Sequence, residues 1–333
     1  MRFKWLSVVS MVVLLLGACG TPDAGTADDQ ADVEKVQESI ETADEGTDQA
    51  EESEQAETRY PLTVTDDSGT EVTIEQEPQT MISVLPSNTE IVFALGLDEE
   101  VIAVTDNDDY PEEVHDKEKV GGMELNVEKI VSLEPDLVFA GLLNGDVVQK
   151  LRDLGVTVLV SEGESLADTY ASIELIGKVT NRAAEAEAIV NGMKEDVSQV
   201  EEWVSNIPDE KRLSVWWEDD PELFTPGAGT MMDELITIAG GKNVAAKELD
   251  GWGQLSEEKV VEFNPDVIVG TYGEDQVKEA VADRQAWSEI NAVKNGRVYG
   301  IDSSLVSRPG PRLTEGLREL AKLFYPDAVE DAP

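Results

Sequence analysis

The chain is short of the residues on which most enzyme chemistry is built. It has one cysteine, Cys19, and one histidine, His115, which excludes an intramolecular disulfide and a Cys-based metal cage. It carries no nucleophile motif and no phosphate-binding glycine loop; Gly227-Ala228-Gly229 reads as a turn before a helix. Basic residues are also scarce, 25 against 71 acidic ones, for a formal net charge of −46. Nucleic acid is therefore an unsuitable partner, because phosphate contacts need clustered Lys and Arg. The acidity is spread along the whole chain and reads as a solvated surface suited to high salt, and its abundance leaves any chosen pair of carboxylates uninformative as a catalyst. No enzyme, cofactor or bound metal is expected.

What is present begins with a leader. Arg2 and Lys4 precede an apolar run from Val8 to Leu16 that is too short to span a membrane as a mature helix, so residues 1–18 read as a cleaved secretory signal. Leu16-Gly17-Ala18-Cys19 resembles a bacterial lipobox, which implies cleavage before Cys19 and a diacylglyceryl group on its thiol. A plain signal with an incidental cysteine is the alternative, and it leaves unexplained why the single thiol falls at the one position the motif requires. Residues 20–59 hold fourteen Asp or Glu against Lys35 and Arg59, with almost no large apolar residue. Such a stretch cannot bury enough surface to fold, so 19–59 is expected to be a lipidated, acidic, disordered tether.

The body from Tyr60 onward contains one phrase twice. Residues 126–139, NVEKIVSLEPDLVF, recur at 256–269 as SEEKVVEFNPDVIV. Each copy reads as an N-cap (Asn126, Ser256), a short helix stopped by Pro, and a buried strand. The flanks agree. Met81 to Leu85 and Leu213 to Trp217 are apolar runs, each followed by a helix that closes at glycine, Gly96 and Gly240-Gly241. Ser87 with Glu90, and Thr230 with Asp233, have capping-box spacing, which makes Glu90 a cap on this reading. Between the halves, residues 166–206 have apolar positions recurring mostly at three or four, with Thr180-Asn181 as a possible break. The expectation is an α/β chain: a lobe at 60–165, a long rigid interlobe helix at 166–206, and a similar Rossmann-like lobe at 207–333, with a ligand crevice between the lobes.

These stretches, with SVLPSNTE at 83–90, the Asp109-Tyr110-Pro111 turn, Val120-Gly121-Gly122 and RPGPRL at 308–313, resemble the cluster A-III solute-binding proteins of ABC importers, those for ferric siderophores and cobalamin. The resemblance covers nearly the whole body. It implies the class III periplasmic-binding-protein fold, a monomer outside the cytoplasm anchored to the cell membrane through Cys19, and partners in an ABC permease and its ATPase. It further implies that one surface Glu per lobe, here Glu128 and Glu258, docks on permease arginines; helix-dipole complementation, about 0.3–1 kcal/mol, is the plain alternative. A surface scaffold without transport is the rival of a different class.

For the crevice, loops following the strands offer Trp217, Trp252, Tyr272 and Arg308 from the second lobe, and Ser87, Asn88, Asn107 and Tyr110 from the first. Trp216 and Trp217 are neighbours in a strand and point opposite ways, so one of them is expected in the core. Arg308 is left between pairing with an anionic ligand group and pairing with an internal Asp, and Arg312, at the start of the last helix, reads as structural. A strongly anionic triscatecholate suits so acidic a chain poorly. A corrinoid such as cobalamin is favoured, also because Trp252-Gly253-Gln254-Leu255-Ser256 resembles the corresponding stretch of cobalamin binders; a near-neutral ferric hydroxamate is the alternative.

Overall fold

The computed structural model describes residues 57–330. The signal, Cys19 and nearly all of the tether lie outside the described residues. The first lobe opens with an antiparallel hairpin, β1 (Leu62–Thr65) and β2 (Glu71–Ile74), and continues through β3 (Met81–Ser83), α1 (Pro86–Ala94), β4 (Val101–Val104), β5 (Glu118–Lys119), α2 (Val127–Ser132), β6 (Leu137–Ala140), α3 (Gly145–Asp153) and β7 (Val158–Val160). Helices α4 (Leu166–Val179) and α5 (Ala183–Val204) follow. The second lobe runs through β8 (Ser214–Glu218), β9 (Phe224–Pro226), α6 (Met231–Ile238), β10 (Lys242–Asn243), β11 (Trp252–Gln254), α7 (Glu257–Phe263), β12 (Val267–Gly270), α8 (Glu274–Asp283), α9 (Asn291–Lys294), β13 (Val298–Gly300), α10 (Ser303–Ser307), α11 (Leu313–Phe324) and α12 (Pro326–Glu330).

Each lobe holds an all-parallel sheet, in order β5-β4-β3-β6-β7 and β10-β8-β12-β13, while β9 and β11 form a separate antiparallel pair. Strand order reverses at β3/β6 in the first lobe and at β8/β12 in the second. In doubly wound sheets the loops at the carboxyl ends beside such a reversal build the ligand site. Two similar Rossmann-like lobes with helices between them make this the class III periplasmic-binding fold.

The duplicated phrase forms α2-β6 and α7-β12, and its chemistry is duplicated as well. Asn126 Oδ1 accepts from the Lys129 N–H at 3.0 Å, and Ser256 Oγ accepts from the Lys259 N–H at 3.3 Å. The Asp after each proline ties its strand to the neighbour. Asp136 Oδ2 accepts from the Thr80 hydroxyl and N–H, both at 3.0 Å, and Asp266 Oδ2 accepts from those of Ser214 at 2.7 and 3.0 Å. In return the hydroxyls of Thr80 and Ser214 accept from the N–H groups of the two aspartates. These clamps set the register of β6 on β3 and of β12 on β8.

The segment 166–206 is two helices. Asn181 adopts φ 58°, a left-handed conformation that Asn tolerates and a helix interior does not, and α5 begins two residues later. The 22 residues of α5 span about 33 Å at 1.5 Å per residue. Their buried face, with Val190, Met193 and Val200, belongs to one continuous core that includes Leu137 and Phe139 of the first sheet, Val215 and Trp217 of the second, and Leu317 and Phe324 of α11. A core shared across both lobes resists a free hinge between them, because opening it would expose tightly packed apolar surface. The outer face of each sheet is covered separately, around Val138 and Leu151 in one lobe and Trp216 and Trp287 in the other. Among the described residues no helix is long and apolar enough to cross a membrane.

Candidate functional site

A crevice of about 380 Å³ opens between the lobes, bounded by residues 162–164 after β7 and, from the second lobe, by residues 229–232 at the start of α6, Gly251 with Trp252, and Ser307 with Pro309. Its volume lies at the low end of the roughly 300–1,000 Å³ typical of ligand pockets. Thr230 caps α6 as its spacing predicts, accepting from the Asp233 N–H at 3.2 Å, but Asp233 reaches back to the Gly229 N–H and so does not close the box on Thr230 itself. From the second lobe Met231, Met232 and Trp252 give it an apolar wall. Trp252 is 45% exposed and stacks on Phe224, with ring centroids 5.7 Å apart and planes at 13°. Met123, Leu142 and Leu143, on first-lobe loops after β5 and β6, are exposed too. Of the large apolar side chains left exposed among the described residues, all but Leu154 lie on loops at the strand carboxyl ends or on the β9-β11 pair. The Leu142 N–H donates to Glu162, which fixes the apolar loop to the crevice wall.

Beside the crevice the lobes are joined by charge. Glu90, on α1, is buried, and its side chain is only 2% exposed. It accepts from Arg308 Nη1 at 3.1 Å and from Arg312 Nε and Nη2 at 2.9 and 2.6 Å. Arg308 Nη1 also donates to Asp109 Oδ1 at 2.6 Å. The Arg312 guanidinium lies 3.7 Å from the centre of the Tyr110 ring. The Arg308 contact holds the Asp109 carboxyl below its usual range. Burial opposes the charge on Arg308, but Asp109 and Glu90 outweigh it and its pKa is raised. A second groove of about 450 Å³, lined by Phe93, Tyr110, Pro111 and Arg312 among others, lies along the same contact.

Several sequence expectations are corrected here. Glu90 is no cap: Pro86 occupies the first turn, Leu85 is the N-cap without a side-chain bond, and Ser87 falls inside the helix and is buried. Asn88 is buried and donates to the carbonyls of Ala140 at 3.2 Å and Ser161 at 2.9 Å, so it locks α1 to the sheet and presents nothing to a ligand. Trp217 and Trp216 are both wholly buried, because each face of a parallel sheet covered on both sides is core. The hydroxyl of Tyr272 donates to Glu218, and burial followed by that carboxylate pushes its pKa up. Glu218 is fully buried, paired to Arg284 at 2.8 Å, and accepts from the Trp216 indole N–H at 3.1 Å. Tyr272 therefore serves this internal network, which nothing in the local sequence announced. Asn107 is exposed but borders neither concavity described above. Trp252, Tyr110 and Arg308 remain at the interlobe surface. Glu128 and Glu258 are exposed in the first turns of α2 and α7. The Glu258 carboxyl is held low by its own backbone N–H at the helix start and by the Ser256 hydroxyl.

Two parallel-sheet lobes with a crevice between them and one core running through both are the architecture of a solute-binding protein. The chain belongs to the periplasmic binding protein family, whose model matches residues 81–305. It is 45% identical over 280 residues to the uncharacterized ABC transporter substrate-binding lipoprotein YvrC of Bacillus subtilis, spanning 82% of this chain and 88% of that one. It is 28% identical over 277 residues to a cobalamin-binding protein of Halobacterium salinarum, spanning 80% and 74% respectively. The crystal structure of a possible iron-binding, periplasmic solute-binding protein from Staphylococcus epidermidis matches with a TM-score of 0.69 at 33% identity, over 75% of this chain and 100% of that one. The chain is thus a binding protein of this family and not an enzyme.

Proposed function

We propose that the protein is anchored outside the cell membrane through a diacylglyceryl group on Cys19 and captures a metal chelate of little net charge, a corrinoid before a ferric hydroxamate, for delivery to a permease. The observation that carries the ligand reading is the apolar second-lobe wall: Met231 and Met232 with the exposed Trp252, whose ring stacks on Phe224. A flat macrocycle buries such surface, at about 25 cal/mol per Å² removed from water. The charge pattern supports the same choice, since Arg308 is occupied by carboxylates and the crevice wall carries Glu162 and Glu164. Similarity to a cobalamin-binding protein agrees with it. Glu128 and Glu258, exposed at equivalent helix starts, are assigned to docking on permease cations, where charge-assisted pairs fix register.

Titration with cyanocobalamin and with a ferric trihydroxamate, followed by Trp fluorescence, tests the reading. Saturable quenching by cyanocobalamin, weakened at least tenfold by Trp252→Ala, is expected. Tight hydroxamate binding with no response to the corrinoid would reverse the choice of ligand.

A further inference from the structure

The ion cluster beside the crevice contains two arginines and two carboxylates, and its formal charges cancel. Its members are unequal in every other respect. The Glu90 side chain is 2% exposed and holds both guanidinium groups with three hydrogen bonds. The Asp109 side chain is 62% exposed and makes a single bond, to Arg308. Arg308 itself is 20% exposed and lies between Ser307 and Pro309, both of which line the crevice. Glu90 is therefore a fixed counterion, while Asp109, exposed and held by one bond, is the member that leaves most easily.

Resting on the reading that the crevice takes a chelate, we propose that Asp109 sets the charge selectivity of the site: it completes the neutralisation of Arg308 and thereby excludes ligands bearing a carboxylate or other anion at that edge. With Asp109 present, an anionic group arriving at Arg308 meets a guanidinium already paired and a carboxylate that repels it. Without Asp109 the cluster carries one net positive charge beside the crevice, and an anion takes the position that Asp109 Oδ1 holds. Asp109 acts through Arg308 and touches no ligand that lacks such a group, so it is a positioning residue.

The test uses the full chain and matched probes that differ by one negative charge: cyanocobalamin and the monocarboxylate made by hydrolysing one of its side-chain amides, together with a neutral ferric trihydroxamate and its succinylated form. Affinities for Asp109→Asn are compared with those of the unaltered chain. The ratio of anionic to neutral affinity should rise by about tenfold or more, which corresponds to roughly 1.4 kcal/mol. The gain should shrink as salt is raised, vanish in the Asp109→Asn/Arg308→Gln double variant, and be reversed by Asp109→Glu, which restores the charge. A purely structural role for Asp109 would change both affinities together, with no salt dependence of their ratio. An unchanged ratio in a variant that still binds the neutral probe would overturn this inference alone. Absence of saturable binding by the unaltered chain to all four probes would overturn the chelate reading and this inference with it.

Discussion

Glu90→Ala should be among the most damaging single changes away from the apolar core. The carboxylate accepts three hydrogen bonds from two guanidinium groups across the lobe boundary, at 2.6 to 3.1 Å. Removing one partner of a buried ion pair costs about 3–5 kcal/mol, because the remaining charge is left uncompensated. Arg312 and Arg308 keep side-chain exposures of 14% and 20%, and Arg308 retains Asp109. The lower end, about 3 kcal/mol, is therefore expected. At roughly 2–4 °C per kcal/mol the melting temperature should fall by about 6–12 °C. Calorimetry of Glu90→Ala, Arg312→Ala and the double variant would read the coupling directly, expected between about 1 and 3 kcal/mol. A loss below about 1 kcal/mol with no coupling, as for an exposed pair, would refute the assignment of Glu90 as a buried interlobe counterion.

Changing both Glu128 and Glu258 to Ala should leave ligand affinity within about twofold and abolish ligand uptake by cells, since both face solvent; loss of binding in the folded double variant would place them in the wrong role. Asp266 gives a dependence on pH. Burial works against its charge, but the Ser214 hydroxyl and N–H and the Asn291 amide outweigh this and depress its pKa. A depressed folded-state value means its contribution is complete above the unfolded Asp value of about 3.9 and is lost as pH falls through and below it. The stability difference between the unaltered chain and Asp266→Asn, from urea midpoints, should be constant near neutrality and shrink below about pH 4; a difference independent of pH would contradict the clamp.

The duplicated architecture was legible because it is local. An N-cap, a helix-stopping proline and a β-branched strand each follow from residue chemistry over a dozen positions, and both copies fold as read. The Pro-Asp clamps were visible as letters but not as function, since Thr80 and Ser214 lie 56 and 52 residues away in sequence. Distance also hid the site. Glu90 meets Arg308 and Arg312 across more than 200 residues, and the Ser87-Glu90 spacing imitated a local cap that Pro86 had already displaced. The tryptophans misled for a different reason: a sheet covered on both faces has no open side, so neither Trp216 nor Trp217 could reach a crevice. The exposed Leu142, Leu143 and Met123 carry no motif, and only their exposure on strand-end loops sets them apart.

Equilibrium dialysis of the protein against cyanocobalamin asks whether the crevice retains a large, nearly neutral macrocycle at all. One saturable site per chain is expected, weakened by about tenfold or more in Trp252→Ala. Retention of a ferric hydroxamate with no retention of cyanocobalamin, or binding indifferent to the loss of Trp252, would rule out a corrinoid held against Trp252.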